Sequence, residues 1–280
     1  IKMSILKINE TPVRTSRNFN INNVKLEDIQ IPENLKEFKG TTIVQNNSNI
    51  KLSSNIEKYD ITYGLGDFFT NQVLEKANKN INIEIDGSDE KNINIDNILS
   101  SDNLNLIDNV KILANENSKA TIVIKYKSDK NIEFFHNGII KIIAKNNSNI
   151  NVIIVNLLSE TSNNFLSIDA ELEESSKIKA TIIDFGGKNS ITNYYSNLIG
   201  DLSDNKLESI YLGKDNQLVD INYIAELRGK KSNIDINVQG ALKDQAKKHF
   251  KGTIDFKKGC KKATGNENEE CMLLSNKAKS

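Results

Sequence analysis

Short stretches in which isoleucine, valine or leucine alternates with a polar residue recur along most of the chain. The clearest are Ala120-Thr-Ile-Val-Ile-Lys-Tyr126, Ile139-Ile-Lys-Ile-Ile-Ala144, Ile150-Asn-Val-Ile-Ile-Val155, Phe165 to Leu172 and Ile178-Lys-Ala-Thr-Ile-Ile183, followed by Leu207 to Leu212, Leu218 to Leu227, Ile234 to Val238 and Phe250 to Phe256. A period of two residues is the signature of strands with one buried face. Asn, Ser, Gly, Asp and Lys clusters separate these runs, and those residues tolerate tight-turn dihedrals. The pattern is uniform from about Val110 onward and predicts an all-β core over residues 109–280. Residues 1–108 read as a smaller mixed region. It has an extended opening around Thr11-Pro-Val-Arg14, short strands at Thr41 to Gln45, Ile50 to Ser53, Ile81 to Ile85 and Ile93 to Ile95, and one helix from Asp67 to Ala77.

The connections repeat. Asn46-Asn-Ser-Asn-Ile50 returns as Asn146-Asn-Ser-Asn-Ile150, and Lys119-Ala-Thr-Ile122 returns as Lys179-Ala-Thr-Ile182. Stacked turns of a β-helix reuse corner chemistry in this way, which favours a coiled repeat over a sandwich. In an Asn-rich chain, matches of this length also arise from composition, so the pattern leaves sandwiches and lipocalin-like barrels open.

With 280 residues the chain is long enough for one large β domain and a smaller piece. Lysine plus arginine and aspartate plus glutamate both number 37, so no overall field draws in nucleic acid or an anionic membrane. A protein partner is expected instead. No apolar stretch is long enough to span a bilayer and the first residues lack signal-peptide character, so a cytoplasmic location is expected. Two cysteines, Cys260 and Cys271, are too few for a disulfide framework and fit a reducing compartment.

Catalytic groups are sparse. His136 and His249 are the only histidines, and neither has a nucleophile in a recognisable setting; both read as structural or surface residues. Tyr63-Gly-Leu-Gly66 lacks the third glycine of a dinucleotide fingerprint and reads as a turn before the helix. Asp86-Gly-Ser-Asp-Glu90 lacks the spaced carboxylates of a calcium loop and reads as a solvated turn, and Glu171-Leu-Glu-Glu174 as a strand end facing water. The lysines from Lys243 to Lys262 are followed by Glu267, Glu269 and Glu270, and two such blocks pair more simply than they bind phosphate. Cys260 and Cys271, with ten residues between them, match no zinc pattern and are only weak metal candidates. From the residues alone no catalytic or cofactor-binding site is assigned.

The last quarter adds a resemblance. Asp220-Ile-Asn-Tyr-Ile-Ala-Glu-Leu-Arg-Gly229, Ser232-Asn-Ile-Asp-Ile-Asn-Val-Gln-Gly-Ala-Leu-Lys243, Phe250-Lys-Gly-Thr-Ile-Asp-Phe256 and Glu269-Glu-Cys-Met-Leu-Leu-Ser275 resemble the core of the SufB/SufD family of iron–sulfur cluster assembly proteins, with good matching over about residues 190–280. Thr11 to Thr15 and Val24 to Pro32 agree more loosely with the family's opening segment. The resemblance implies a right-handed parallel β-helix and a non-enzymatic scaffold, SufD-like, that pairs with a SufB-like protein through the β-helix and works with a SufC-like ATPase. An isolated homodimer is compatible with it. It implies no resident cofactor in this chain and an iron–sulfur cluster held transiently at a subunit interface. The family's cluster-related cysteine sits three residues before paired leucines. Here Glu270 holds that place and Cys271 follows it, so adjacent strand residues would point the two side chains to opposite faces. The family continues past the position of Ser280, which makes a C-terminally truncated chain the expectation. The alternatives are a surface-binding β-solenoid, such as an adhesin or carbohydrate-binding module, and a polysaccharide-lyase-like enzyme, which would need clustered carboxylates or a metal.

Overall fold

In the computed structural model, residues 2–13, 21–46 and 49–280 are described. Arg14, Thr15 and part of the Asn46–Ile50 corner lie outside them. The N-terminal elements are β1 (Lys2–Ile8), β2 (Val24–Gln30), β3 (Thr41–Gln45), β4 (Ile50–Ser53) and α1 (Asp67–Lys76). There follow β5 (Lys79–Ile85), β6 (Glu90–Leu99), β7 (Asn105–Ala114), β8 (Lys119–Ser128), β9 (Phe135–Ala144), β10 (Asn149–Leu157) and β11 (Asn163–Leu172). The chain closes with β12 (Lys177–Asp184), β13 (Asn189–Leu198), β14 (Asp204–Gly213), β15 (Leu218–Leu227), β16 (Asn233–Leu242), β17 (Lys247–Phe256) and β18 (Thr264–Leu273).

From β5 onward successive strands alternate between two eight-stranded sheets, one ordered β18-β16-β14-β12-β10-β8-β6-β3 and the other β17-β15-β13-β11-β9-β7-β5-β4. All pairings within them are parallel except β3 with β6 and β4 with β5, which close the first turn antiparallel. The result is a parallel β-solenoid of about seven turns, 59% strand and 4% helix. The parallel stack starts at Lys79, ahead of the boundary expected at residue 109. The Asn–Ile alternations of β5 and β6, read as isolated short strands, already present the buried row that the next turn continues.

Inward-facing isoleucine, leucine, valine and alanine side chains stack in register through the solenoid. Ile93, Ile122, Val152, Ala180, Leu207 and Ile236 form one such row, all buried. Each large aliphatic chain so removed from water contributes about 1.5–3 kcal/mol. One edge of the solenoid is an ordered corner. Asn117, Asn147, Ser175, Leu202 and Lys231 adopt φ between 55° and 62° and donate their backbone N–H to the next turn. A buried serine follows each of them: Ser118, Ser148, Ser176, Ser203 and Ser232. Four of these hydroxyls, those of Ser148, Ser176, Ser203 and Ser232, donate to the carbonyl three residues back, so a local turn bond replaces water at four of the five levels. Of the two sequence repeats, Asn146–Ile150 is such a corner. Lys119 is in register with Asn149 and Lys177 rather than Lys179, so the second repeat reflects composition, not stacking.

The two sheets differ outside. The β5–β17 sheet is covered: its strands β9, β11, β13 and β15 are buried on both faces. The β1–β2 hairpin and α1 lie over it, and Leu6, Ile8, Val24, Leu26, Leu65, Phe69 and Val73 pack on its outward Ile107, Phe135, Ile139, Phe165 and Ile191. Asn9, fully buried with φ 56°, is the clasp. Its side chain donates to Thr192 O at 3.1 Å and to Asp220 Oδ1 at 2.6 Å, and Lys251 donates to Asn9 O at 3.1 Å and to Asp220 Oδ1 at 2.7 Å. Among the described residues no such cover lies on the outer face of the β6–β18 sheet. No helix among the described residues is long and apolar enough to cross a membrane.

Candidate functional site at the mouth of the solenoid

The interior changes character in the last turn. Outer and inner positions alternate along β18, so Glu267, Glu269 and Cys271 face the interior while Glu270 and Met272 face out; they stand in register with Ile236, Val238 and Gly240 of β16. Where earlier turns put Leu207 and Ile236, the last puts the Glu267 carboxyl. Partial desolvation raises the pKa of that carboxyl.

Lys248 of β17 enters the same space. Its side chain is 3% exposed, and its ammonium donates to Glu269 Oε1 at 2.5 Å. It also stands 5.7 Å from the centroid of the Tyr211 ring and 5.8 Å from that of Phe250. The ion pair and the two ring faces together hold a cation that burial alone would disfavour. Tyr211 of β14 donates to Glu269 Oε1 at 3.4 Å. Burial, and then the neighbouring Cys271 and Glu269, push the phenol up in pKa, so it stays a donor. Gly240 makes room for it: a Cβ there would lie 2.5 Å from Tyr211 Cε2 and from the Tyr211 carbonyl oxygen. A buried ammonium, a carboxylate, a phenol and a thiol thus converge on one opening, a set able to bind an anion or a polar chain end and to move a proton.

A second polar cluster lies deeper in the interior. Tyr126 donates to Asp108 Oδ2 at 2.9 Å, and Asp108 Oδ1 lies 2.9 Å from His136 Nε2. His136 Nδ1 is 2.6 Å from Asn164 Oδ1. Asn164 donates to Ser190 at 3.0 Å, Ser190 to Asp184 Oδ2 at 2.6 Å, and Asn156 to Asp184 Oδ1 at 2.8 Å. Burial pushes the Asp184 carboxyl up to about 6 against these stabilising bonds.

The residues singled out in the sequence fall in scattered places. His136 is buried within that chain, and His249 is partly exposed on the covered sheet with Nδ1 3.3 Å from Asp220 Oδ2. The lysine run is split by strand alternation. Lys248 points in, Lys251 is buried against Asp220 on the outer face, and Lys257 reaches Glu226 at 3.0 Å, so no single basic surface forms. Tyr63-Gly-Leu-Gly66 leads into α1, with Leu65 N–H donating to Ser167 Oγ at 3.3 Å. In the Asp86–Glu90 loop the ammonium of Lys91 is the cation, donating to Gly87 O at 2.8 Å and Asp89 O at 2.6 Å.

Cys260 sits in the corner before β18 and Cys271 near that strand's far end, both half-buried. The seven residue steps from Thr264 to Cys271 alone span about 23 Å. The two thiols therefore cannot ligate one metal centre, and among the described residues no three His, Cys, Asp or Glu side chains gather as a metal site. Lys248, Glu269, Tyr211 and the Tyr126–Asp108–His136 chain were not foreseen as sites. Their one trace in the sequence is spacing by a solenoid turn, for Asp108, His136 and Asn164 are each 28 residues apart.

Comparison with curated proteins gives no match. The profile described as "SUF system FeS cluster assembly, SufBD core domain" matches residues 97–280, which is all of the solenoid from the end of β6 to the mouth. With its two-sheet parallel stack and this match over more than half of its length, the chain belongs to the SufBD core family of iron–sulfur cluster assembly proteins.

Proposed function

We propose that within SUF iron–sulfur cluster assembly this chain is a non-catalytic, SufD-like scaffold subunit of the reducing cytoplasm, pairing through its β-helix with a SufB-like protein and working with a SufC-like ATPase. The observation that carries this reading is the placement of the thiols. Cys260 lies in the corner before β18 and Cys271 near that strand's far end, Glu270 faces outward at the position where the family's cluster-related cysteine is expected, and Cys271 faces the mouth. A cluster is then cargo that needs donors from a second subunit, since iron–sulfur clusters are held by converging thiolates. The mouth residues Lys248, Glu269 and Tyr211 supply polar groups but no ligand set of their own.

The test is co-expression with SufB-like and SufC-like partners from the same genome, followed by purification on a tag carried by this chain. The expected result is a stable complex that assembles a cluster only when all partners are present. A chain that by itself assembles a stoichiometric cluster from ferrous iron and sulfide under anaerobic conditions would make it SufB-like and overturn the proposal.

A further inference from the structure

Asn9, Asp220 and Lys251 come from three distant places, the residue after β1, the start of β15 and the middle of β17, yet their side chains meet on one carboxylate oxygen. All three are buried, Asn9 and Asp220 completely. Asn9 is fixed from every side. Its φ is 56°, its N–H donates to Leu65 O at 3.1 Å, and its Nδ2 donates to Thr192 O at 3.1 Å as well as to Asp220 Oδ1 at 2.6 Å. Its own Oδ1 accepts from Asn193 Nδ2 at 3.0 Å. Lys251 Nζ is 2.7 Å from the same Asp220 oxygen and 3.1 Å from the Asn9 main-chain oxygen. Two donors sharing one acceptor oxygen stand about 4 Å apart, so the Lys251 nitrogen lies alongside the Asn9 side-chain amide.

From this arrangement we propose that the chain cross-links itself: the Lys251 amine displaces ammonia from the Asn9 side chain, leaving an isopeptide bond between the N-terminal cover and β17. Each group present has a part in the step. Asp220 Oδ1 accepts a proton from the Lys251 ammonium, and the freed lone pair attacks Asn9 Cγ. The negative charge that develops on Asn9 Oδ1 is met by the Asn193 Nδ2–H already bonded to it, in the manner of an oxyanion hole. The carboxyl passes its proton to Asn9 Nδ2 and takes the surplus proton from the attacking nitrogen. The Cγ–Nδ2 bond then breaks, and ammonia leaves and carries that last proton away as ammonium, which returns Asp220 to its starting state. One C–N bond forms and one breaks, with no change of oxidation state and no cofactor. Burial shields the step from water, and the fixed placement of amine, amide and acid makes it intramolecular.

A nearby pair shows what an ordinary buried salt bridge looks like on the same sheet. Lys141 donates to Asp169 Oδ1 at 2.7 Å, but the other donor to that carboxylate is the Thr62 backbone N–H at 3.1 Å, and no side-chain amide shares it. At Asp220 the remaining oxygen faces His249 Nδ1 at 3.3 Å, which leaves Oδ1 to the lysine and the asparagine. A cleft of about 570 Å³ is lined by Ile8 and Glu10, the two neighbours of Asn9, and gives ammonia a way out. The bond would join residues 242 apart in sequence. It would tie the cover to the late turns of the solenoid as a disulfide would, without a thiol or an oxidant. The proposal does not depend on the scaffold assignment, since it uses neither the mouth nor the partners proposed above.

The experiment is intact-mass spectrometry of the denatured full chain, freshly purified and after prolonged incubation of the folded protein at physiological temperature, followed by tryptic mapping. The parent is expected to weigh about 17 Da less than its sequence, the mass of one ammonia. Trypsin is expected to release Ile8–Arg14 joined to His249–Lys257 through Lys251, which is then no longer a cleavage site. Lys251→Arg keeps a cation on Asp220 but has no primary amine, and it is expected to keep its full sequence mass. Asp220→Asn is expected to slow bond formation by about a hundredfold or more. Circular dichroism confirms the fold of each variant. A folded parent that keeps its full mass after incubation overturns the proposal. So does a loss of ammonia that persists in Lys251→Arg, which would mark a succinimide at an asparagine, or a cross-link that forms at an unchanged rate in Asp220→Asn.

Discussion

Lys248 and Glu269 lie on different sheets, yet their charged atoms meet at 2.5 Å just inside the last turn of the solenoid, the ammonium almost wholly shielded from water and the carboxylate less so. Removing one member of such a pair leaves the other desolvated and unmatched. Lys248→Met is therefore expected to lower stability by about 2 kcal/mol, and Lys248→Met/Glu269→Gln by less than the sum of the single changes. Urea unfolding of the four proteins measures this. Strict additivity would show that the pair contributes nothing beyond two independent side chains.

Asp184 gives a pH dependence with a definite sign. Its folded-state pKa of about 6 lies above its ordinary value of 3.8, so between those values the folded chain binds a proton that the unfolded chain has released. Stability from this group is then greatest below about pH 4, falls as pH rises through 6, and is lower above that by about 3 kcal/mol. Asp184→Asn is expected to remove this slope. Melting temperatures of parent and variant at matched pH values from 4 to 7.5 should converge at the acidic end if Asn is tolerated there. Parallel curves across the whole range would exclude Asp184 as the source.

The Gly240 position tests the packing of the mouth. Gly240→Ala forces its Cβ into both the ring and the backbone of Tyr211, and overpacking of this kind costs about 1–3 kcal/mol. The backbone oxygen is the obstacle that cannot move aside, so adding Tyr211→Leu should recover only part of the loss. Denaturant midpoints for the single and double variants decide the matter, and an unchanged midpoint for Gly240→Ala would refute the close approach.

The strands were legible wherever one face was buried and the other wet. Thr41–Gln45 and Ile50–Ser53 were read to the residue, and α1 to within one. β13 was missed because Asn189 to Leu198 carries asparagine, serine and tyrosine on two faces that are both buried, one inside the solenoid and one under the N-terminal cover. β9, β11 and β15 are buried on both faces as well, but their aliphatic runs still marked them as strands, which the polar composition of β13 did not. β18 was missed for the opposite reason, since its interior positions at the mouth are Glu267 and Glu269 and the run looks uniformly polar. The mouth itself was invisible because Lys248 and Glu269 are 21 residues apart on strands of different sheets. Only the arrangement of turns brings them together.

The last prediction concerns the cysteines. The scaffold reading makes them bystanders: Cys260 lies in the corner before β18 and Cys271 near that strand's far end, and Cys271 and Glu270 point to opposite faces. Changing both to serine in the complete complex should leave cluster assembly per folded complex within about twofold. Stability is expected to fall by about 1 kcal/mol at each site, because both are half-buried beside the apolar core and a serine hydroxyl there finds a poorer environment than a thiol. Cys271 is the more informative of the two, for it shares the mouth with Tyr211, Lys248 and Glu269. Cluster formation followed by visible absorbance and circular dichroism, normalised to intact complex, separates the two effects. A loss of about tenfold or more with assembly of the complex unchanged would mean that Cys271 acts from inside the mouth, and the SufD-like, non-catalytic assignment would then fall.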